Sequence, residues 1–161
     1  ITHTHHDHIR YLDDFTSLFP EIDIYGSENA SLPHSKELIG LKHNDTISIG
    51  NNLMVALFTP GHYKDSMCYW IEDENMVFTG DTVFVGRTGR TISPGSDISD
   101  LYNSIYKIIL ELPLNTMIHP GHHYGASQTI TIKGNIDLSP FFTCKTLDGF
   151  VLTMKNFEDN R

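Results

Sequence analysis

Cysteine is scarce in this chain, with Cys68 and Cys144 the only two in 161 residues. They form no CxxC pair and no disulfide framework, so a reducing, cytoplasmic compartment is the expectation. Long apolar runs are missing as well. No stretch approaches the roughly 20 residues that a membrane-spanning helix requires, and no membrane partner is expected. Positive charge is in short supply: 11 Lys and Arg face 20 Asp and Glu, for a net charge of −9. Binding phosphates needs a basic face, which argues against nucleic acid as the main partner. There is no Ser-His-Asp nucleophile arrangement, and Gly86-x-x-Gly89 is too weak to cradle a phosphate. Repeats, linkers and low-complexity stretches are also lacking. The length and the 39% hydrophobic content suit one domain with a core, expected over residues 1–161.

What the chain does have is histidine, concentrated at its start: Ile1-Thr2-His3-Thr4-His5-His6-Asp7-His8. His3 and His5 are two apart, which in an extended segment puts both imidazoles on one side. Asp7 and His8 follow where the chain is expected to turn into an amphipathic helix over residues 8–18, with Ile9, Leu12, Phe15 and Leu18 at helical spacing. A strand end feeding a helix start can aim these four ligands at one point. A purification-tag remnant or a fortuitous surface cluster is the bland alternative. It loses weight because the rest of the chain supplies further ligands.

Strands are expected over residues 22–25, 46–49, 53–59, 67–71, 76–79 and 115–118, with a hairpin turn at Gly50-Asn51-Asn52. Two strands run into a glycine followed by a potential ligand, at Gly61-His62 and Gly80-Asp81, and glycine lets a backbone turn sharply and approach a metal closely. Another runs into His119-Pro120-Gly121-His122-His123-Tyr124. The stretch 86–90 reads as a basic, flexible loop. A helix is expected over 98–112, and the tail holds Ile130-Thr131-Ile132, then Ser139-Pro140-Phe141-Phe142, then a helix near 147–152. His34 and His43 carry no ligand spacing and are expected to be solvated.

Ligands delivered from the ends of several strands converge at one edge of a sheet. The expected output is two tri- or tetra-liganded sites sharing a carboxylate. Imidazole and carboxylate suit zinc, and also iron or manganese. Two such ions roughly 3.5–4 Å apart can hold a bridging hydroxide that is nucleophilic near neutral pH.

Thr2-His3-Thr4-His5-His6-Asp7-His8, Thr59-Pro60-Gly61-His62, Phe78-Thr79-Gly80-Asp81-Thr82 and Pro120-Gly121-His122 together resemble the metallo-β-lactamase fold superfamily, in its hydroxyacylglutathione hydrolase (glyoxalase II-like) branch. Gly89-Arg90-Thr91, Leu112-Pro113 and Thr131-Ile132 with Pro140-Phe141 match more weakly. The resemblance implies an α/β, four-layer αβ/βα sandwich, with the family's N-terminal strands missing here and one sheet short of strands. It implies that His3, His5 and His62 hold one divalent metal and that Asp7, His8 and His122 hold a second, most simply zinc, with Asp81 bridging. Asp7 and Asp81 would serve catalysis, and Arg90 and Tyr124 would contact substrate. The implied activity is hydrolysis of a small-molecule thioester or ester. A persulfide dioxygenase-like enzyme is the alternative, with one iron on His62, His122 and Asp81. A non-catalytic metal-binding fragment is the other. The sequence also departs from the family's pattern: Phe142-Thr143 stand where glutathione-using relatives carry basic residues, the stretch before Pro140 lacks the usual charges, and Asp65 stands where the family usually has a small residue. Oligomeric state is not legible.

Overall fold

The structure is a computed structural model that describes residues 1–32 and 37–159. His34 lies outside the described residues. Its central feature is a six-stranded sheet in the order β10-β9-β6-β5-β4-β3. The strands are β3 (Thr46–Ile49), β4 (Asn52–Phe58), β5 (Met67–Ile71), β6 (Met76–Gly80), β9 (Met117–Pro120) and β10 (Ile130–Thr131). All neighbours run antiparallel except β6 and β9, which are parallel. β1 (Ile24–Ser27) and β2 (Leu38–Leu41) form a separate parallel pair, and β7 (Val83–Phe84) and β8 (Arg87–Thr88) a short hairpin.

Alternation along the central strands sorts side chains into two cores. Leu57 of β4, Cys68 of β5, Val77 of β6 and Ile118 of β9 face one side. There they meet Leu101 and Ile105 of α3 (Ile98–Lys107), Ile132 of α4 (Ile132–Leu138), and Phe150 and Met154 of α5 (Leu147–Asp159). Ala56, Met67 and Tyr69 face the other side and pack under Leu41 and Tyr25 of the β1–β2 pair. The result is a mixed α/β sandwich of helices, large sheet and small sheet. Burial on both faces explains why β5 reads as a nearly continuous apolar run.

Several expectations need correction. The helix over 8–18 is two pieces, α1 (His6–Ile9) and α2 (Leu12–Leu18), parted where Tyr11 takes φ −103° and ψ 15°. Its apolar spacing does not mark a buried face: Ile9 is buried, but Phe15 and Leu18 are 54% and 73% exposed. The 86–90 stretch is ordered as the β7–β8 hairpin, because buried Asn135 clamps its turn: Asn135 Nδ2 donates to Phe84 O (2.8 Å), and Gly86 N donates to Asn135 Oδ1 (2.7 Å). α3 stops at Lys107, and a 3-10 turn over Ile109–Glu111 continues it. β2 and α4 add to the expected elements. α4 is started by Thr131, whose side chain accepts from Gly134 N. α5 runs on to Asp159. His43 is exposed, as expected, with its Nδ1 accepting from Phe58 N at 3.1 Å.

Candidate metal centre

Strand direction carries the ligands together. β6 and β9 are parallel neighbours, and β4 is antiparallel to β5, which is antiparallel to β6. So β4, β6 and β9 all finish at the same edge of the sheet. Beyond those three ends lie His62, Asp81 and His122. The Ile1–Thr4 segment is led to that edge by Met67 N, which donates to Thr2 O (2.7 Å). Gly61 and Gly80 adopt φ of 134° and 49°, the region open to glycine, so each chain turns sharply just before its ligand.

His3, His5 and His62 form one group, and Asp7, His8 and His122 a second. In the first, His5 Nδ1 is faced by both His3 Nε2 and His62 Nε2, each at 3.0 Å. In the second, His8 Nε2 lies 3.2 Å from His122 Nε2, and Asp7 Oδ2 lies 3.1 Å from His122 Nε2. Asp81 stands between the groups. Its Oδ1 is 3.2 Å from His8 Nε2, while its Oδ2 is 3.6 Å from His62 and 3.5 Å from His122. The expected set of seven residues is therefore gathered at one place. His119 packs on Phe78 instead, with ring centroids 5.3 Å apart, and His6 and His123 are exposed.

The electrostatics suit a cation. Burial first, then the neighbouring His8 and His62, pushes His3 down to about 2. His5 is lowered by burial and by His62. Both imidazoles are neutral near pH 7 and offer lone pairs. Burial pushes Asp7 up, but its own backbone N–H together with His8, His122 and His5 outweighs it and holds the group below its ordinary value. Three ring nitrogens meeting at His5 cannot all be satisfied by one shared proton, and buried Asp81 Oδ1 makes no hydrogen bond. A tetrahedral ion bound at about 2.0–2.1 Å from each nitrogen would space them about 3.3 Å apart. The observed spacings and the all-nitrogen and oxygen donor set fit zinc, iron or manganese.

The remaining ring nitrogens are also held. His62 Nδ1 lies 2.9 Å from Arg90 O, and Thr2 Oγ1 is 3.3 Å from both His3 Nδ1 and His8 Nδ1. Such contacts choose the tautomer that points the other nitrogen inward.

Beside the cluster is a cavity of about 120 Å³ lined by His62, Asp81, Phe84, Arg87, Gly89, Arg90 and Tyr124. Both expected substrate-contacting residues thus reach it. Arg90 Nη1 also approaches Glu158 Oε2 at 4.0 Å. Arg87 was not singled out from the sequence. Its guanidinium lies over the rings of Tyr124 (4.7 Å), Phe157 (5.0 Å) and Phe84 (5.8 Å). Only the three-residue spacing to Arg90 on the same hairpin could have hinted at it. Larger cavities of about 620 and 640 Å³ lie elsewhere, so donor chemistry rather than size locates the site.

The sequence family described as Metallo-beta-lactamase superfamily matches residues 1–122, a span that ends on His122. The chain belongs to the metallo-beta-lactamase superfamily. Among its superfamily relatives is the "Probable polyketide biosynthesis zinc-dependent hydrolase PksB" of Bacillus subtilis (strain 168), 33% identical over 94% of this chain and 67% of that protein. The "Probable hydroxyacylglutathione hydrolase glo2" of Schizosaccharomyces pombe is 34% identical over 78% of this chain and 48% of its own length. Among solved structures, ETHE1 from Myxococcus xanthus superposes with TM-score 0.84 at 30% identity, over 97% of this chain and 67% of that one. The chain thus spans between about half and two thirds of the length of these relatives. The fold is that of the superfamily, and metallo-hydrolases are among its relatives. No helix among the described residues is long and apolar enough to cross a membrane.

Proposed function

We propose that this chain carries a two-metal hydrolase centre that cleaves a thioester or ester of a small acid. The observation that supports it best is the Asp81 carboxylate, which presents one oxygen to His8 and the other to both His62 and His122. In this reading His3, His5 and His62 hold one ion, Asp7, His8 and His122 hold the other, and Asp81 joins them. Such a pair, when bound, supplies an activated water and polarises the substrate carbonyl. Zinc is the preferred metal, in line with the name carried by the PksB relative.

The chain's own groups do the rest. Asp81, with both oxygens turned to the metal-binding histidines, would orient the attacking water and accept its proton. Asp7, 60% exposed at its side chain, sets its Oδ2 3.1 Å from His122 Nε2, where the two would share the second ion. Arg90 and Tyr124 line the cavity and take the acyl or thiol portion, where a cation and a phenol suit a small anionic substrate. Substituting Asp81→Ala is expected to remove most metal and to cut turnover by at least a hundredfold. Elemental analysis alongside S-lactoylglutathione cleavage checks it, and full metal content with full turnover would sink the assignment.

The likeness to ETHE1 from Myxococcus xanthus favours a second reading, a persulfide dioxygenase-like enzyme with one iron on His62, His122 and Asp81. About one iron per chain, and oxygen uptake with a persulfide in place of thioester cleavage, would decide for it.

A further inference from the structure

The turn that delivers His62 also carries a buried carboxylate that this reaction does not use. Asp65 is 1% exposed. Its Oδ1 accepts from Thr4 N at 3.3 Å and its Oδ2 from Thr4 Oγ1 at 2.5 Å. Among the described residues, Asp65 has no Lys, Arg or His within ion-pair distance, and Thr4 is its sole hydrogen-bond partner. A buried carboxylate with two hydrogen bonds and no cation is costly, because those bonds recover only part of the lost hydration.

Its location suggests what offsets that cost. Thr4 is the residue between His3 and His5, so fixing its N–H and its hydroxyl fixes the peptide from which both imidazoles project. The same turn contributes Tyr63, whose ring packs on His5 with centroids 4.3 Å apart. It is tied down by Thr59 N donating to Ser66 O (2.9 Å) and Met67 N donating to Thr2 O (2.7 Å). One turn thus supplies the third nitrogen of the His3, His5, His62 group and grips the segment that supplies the other two.

We propose that Asp65 is a positioning residue for metal capture: through Thr4 it sets His3 and His5 against His62, and the ion they hold balances its buried charge. This role rests on the reading that His3, His5 and His62 bind a metal. It follows that the carboxylate is an unbalanced charge in the metal-free chain and a balanced one in the loaded chain.

Two substitutions separate charge from hydrogen bond. Asp65→Asn keeps an acceptor for Thr4 and removes the charge, and Thr4→Val removes the hydroxyl contact and leaves the charge, with Thr4→Ser as its conservative rescue. The readout is zinc affinity of the full chain by competition with a chromophoric chelator, together with the melting temperature of the metal-free protein. Asp65→Asn is expected to weaken zinc binding about tenfold or more while the metal-free melting temperature holds or rises, since groups that orient ligands typically contribute 10–100-fold in affinity. Thr4→Val is expected to lose a smaller factor, and Thr4→Ser to recover it. If Asp65→Asn binds zinc within threefold of the wild type, the proposal is overturned, and a fall in its metal-free melting temperature would then mark Asp65 as a folding residue alone. A wild-type chain that takes up no zinc, iron or manganese overturns the metal-centre reading itself, and Asp65's role with it.

Discussion

At the scale of single residues the site tolerates little added volume. Gly121 precedes His122, and a Cβ built on it would lie 2.5 Å from Asp81 Oδ1 and 2.9 Å from His8 Cε1. Gly121→Ala must therefore push the Asp81 carboxylate or the His8 imidazole aside. It is expected to leave the fold intact and lower metal affinity about tenfold or more. Circular dichroism with zinc titration checks it, and wild-type affinity would show that the edge is softer than its packing implies. His3 supports a prediction on pH. Burial lowers its value from 6.5 to about 2, so the unfolded chain binds a proton that the folded chain refuses throughout that interval. Stability from this group is fully present above pH 6.5 and declines as pH falls below it, by up to about 1.4 kcal/mol per pH unit. Urea midpoints of metal-free protein between pH 7.5 and 5.5 measure this slope, and His3→Asn should flatten it.

At the scale of elements, the β7–β8 hairpin decides where the cavity's cations sit. Arg87 lies on the hairpin, and Arg90 follows it with its carbonyl 2.9 Å from His62 Nδ1. Asn135 of α4 clamps the hairpin turn by two hydrogen bonds, to Phe84 O and Gly86 N. Asn135→Ala would leave both backbone groups unsatisfied and cost about 2 kcal/mol in stability. Because the hairpin carries the cavity wall, KM should rise more than kcat falls. An unchanged KM would mean the hairpin holds its shape without α4. The sequence did not make this element legible. Gly86-Arg87-Thr88-Gly89-Arg90 reads as a flexible loop, since two-residue strands carry no periodicity and the clamp comes from a residue nearly fifty positions away. The same limit applies to the 8–18 stretch. Its apolar spacing is helical, but exposure of Phe15 and Leu18 depends on what the surrounding chain covers.

At the scale of the whole molecule, the candidate metal centre joins the chain's first residues to three strand ends of the large sheet. Binding to the folded state alone stabilises by mass action, about 2.7 kcal/mol at a free metal concentration 100 times Kd. For a domain of this size that corresponds to a Tm shift of about 5–10 °C. Calorimetry with zinc and with excess chelator checks it, and superimposable melting curves would separate the metal from the fold's stability.

The sequence by itself determined the chemistry. His3, His5, Asp7 and His8, with glycines before His62 and Asp81 and a histidine cluster after residue 118, specify a nitrogen and oxygen donor set on strand ends, because ligand type and local spacing are properties of short segments. It also made the central strands legible as short apolar runs bounded by turn residues, and in β5 that run is buried on both faces. Only the tertiary structure decided the rest. It set the distances among the donors, with both Asp81 oxygens within 3.6 Å of imidazole nitrogens, and packed His119 on Phe78 away from them. It brought Arg87 onto three aromatic rings and Asp65 under Thr4. These outcomes depend on strand order, on parallel pairing of β6 with β9, and on contacts across 61 residues from Thr4 to Asp65. Long-range pairing leaves no periodicity in the chain. It arises from closing the sheet and burying both its faces at once.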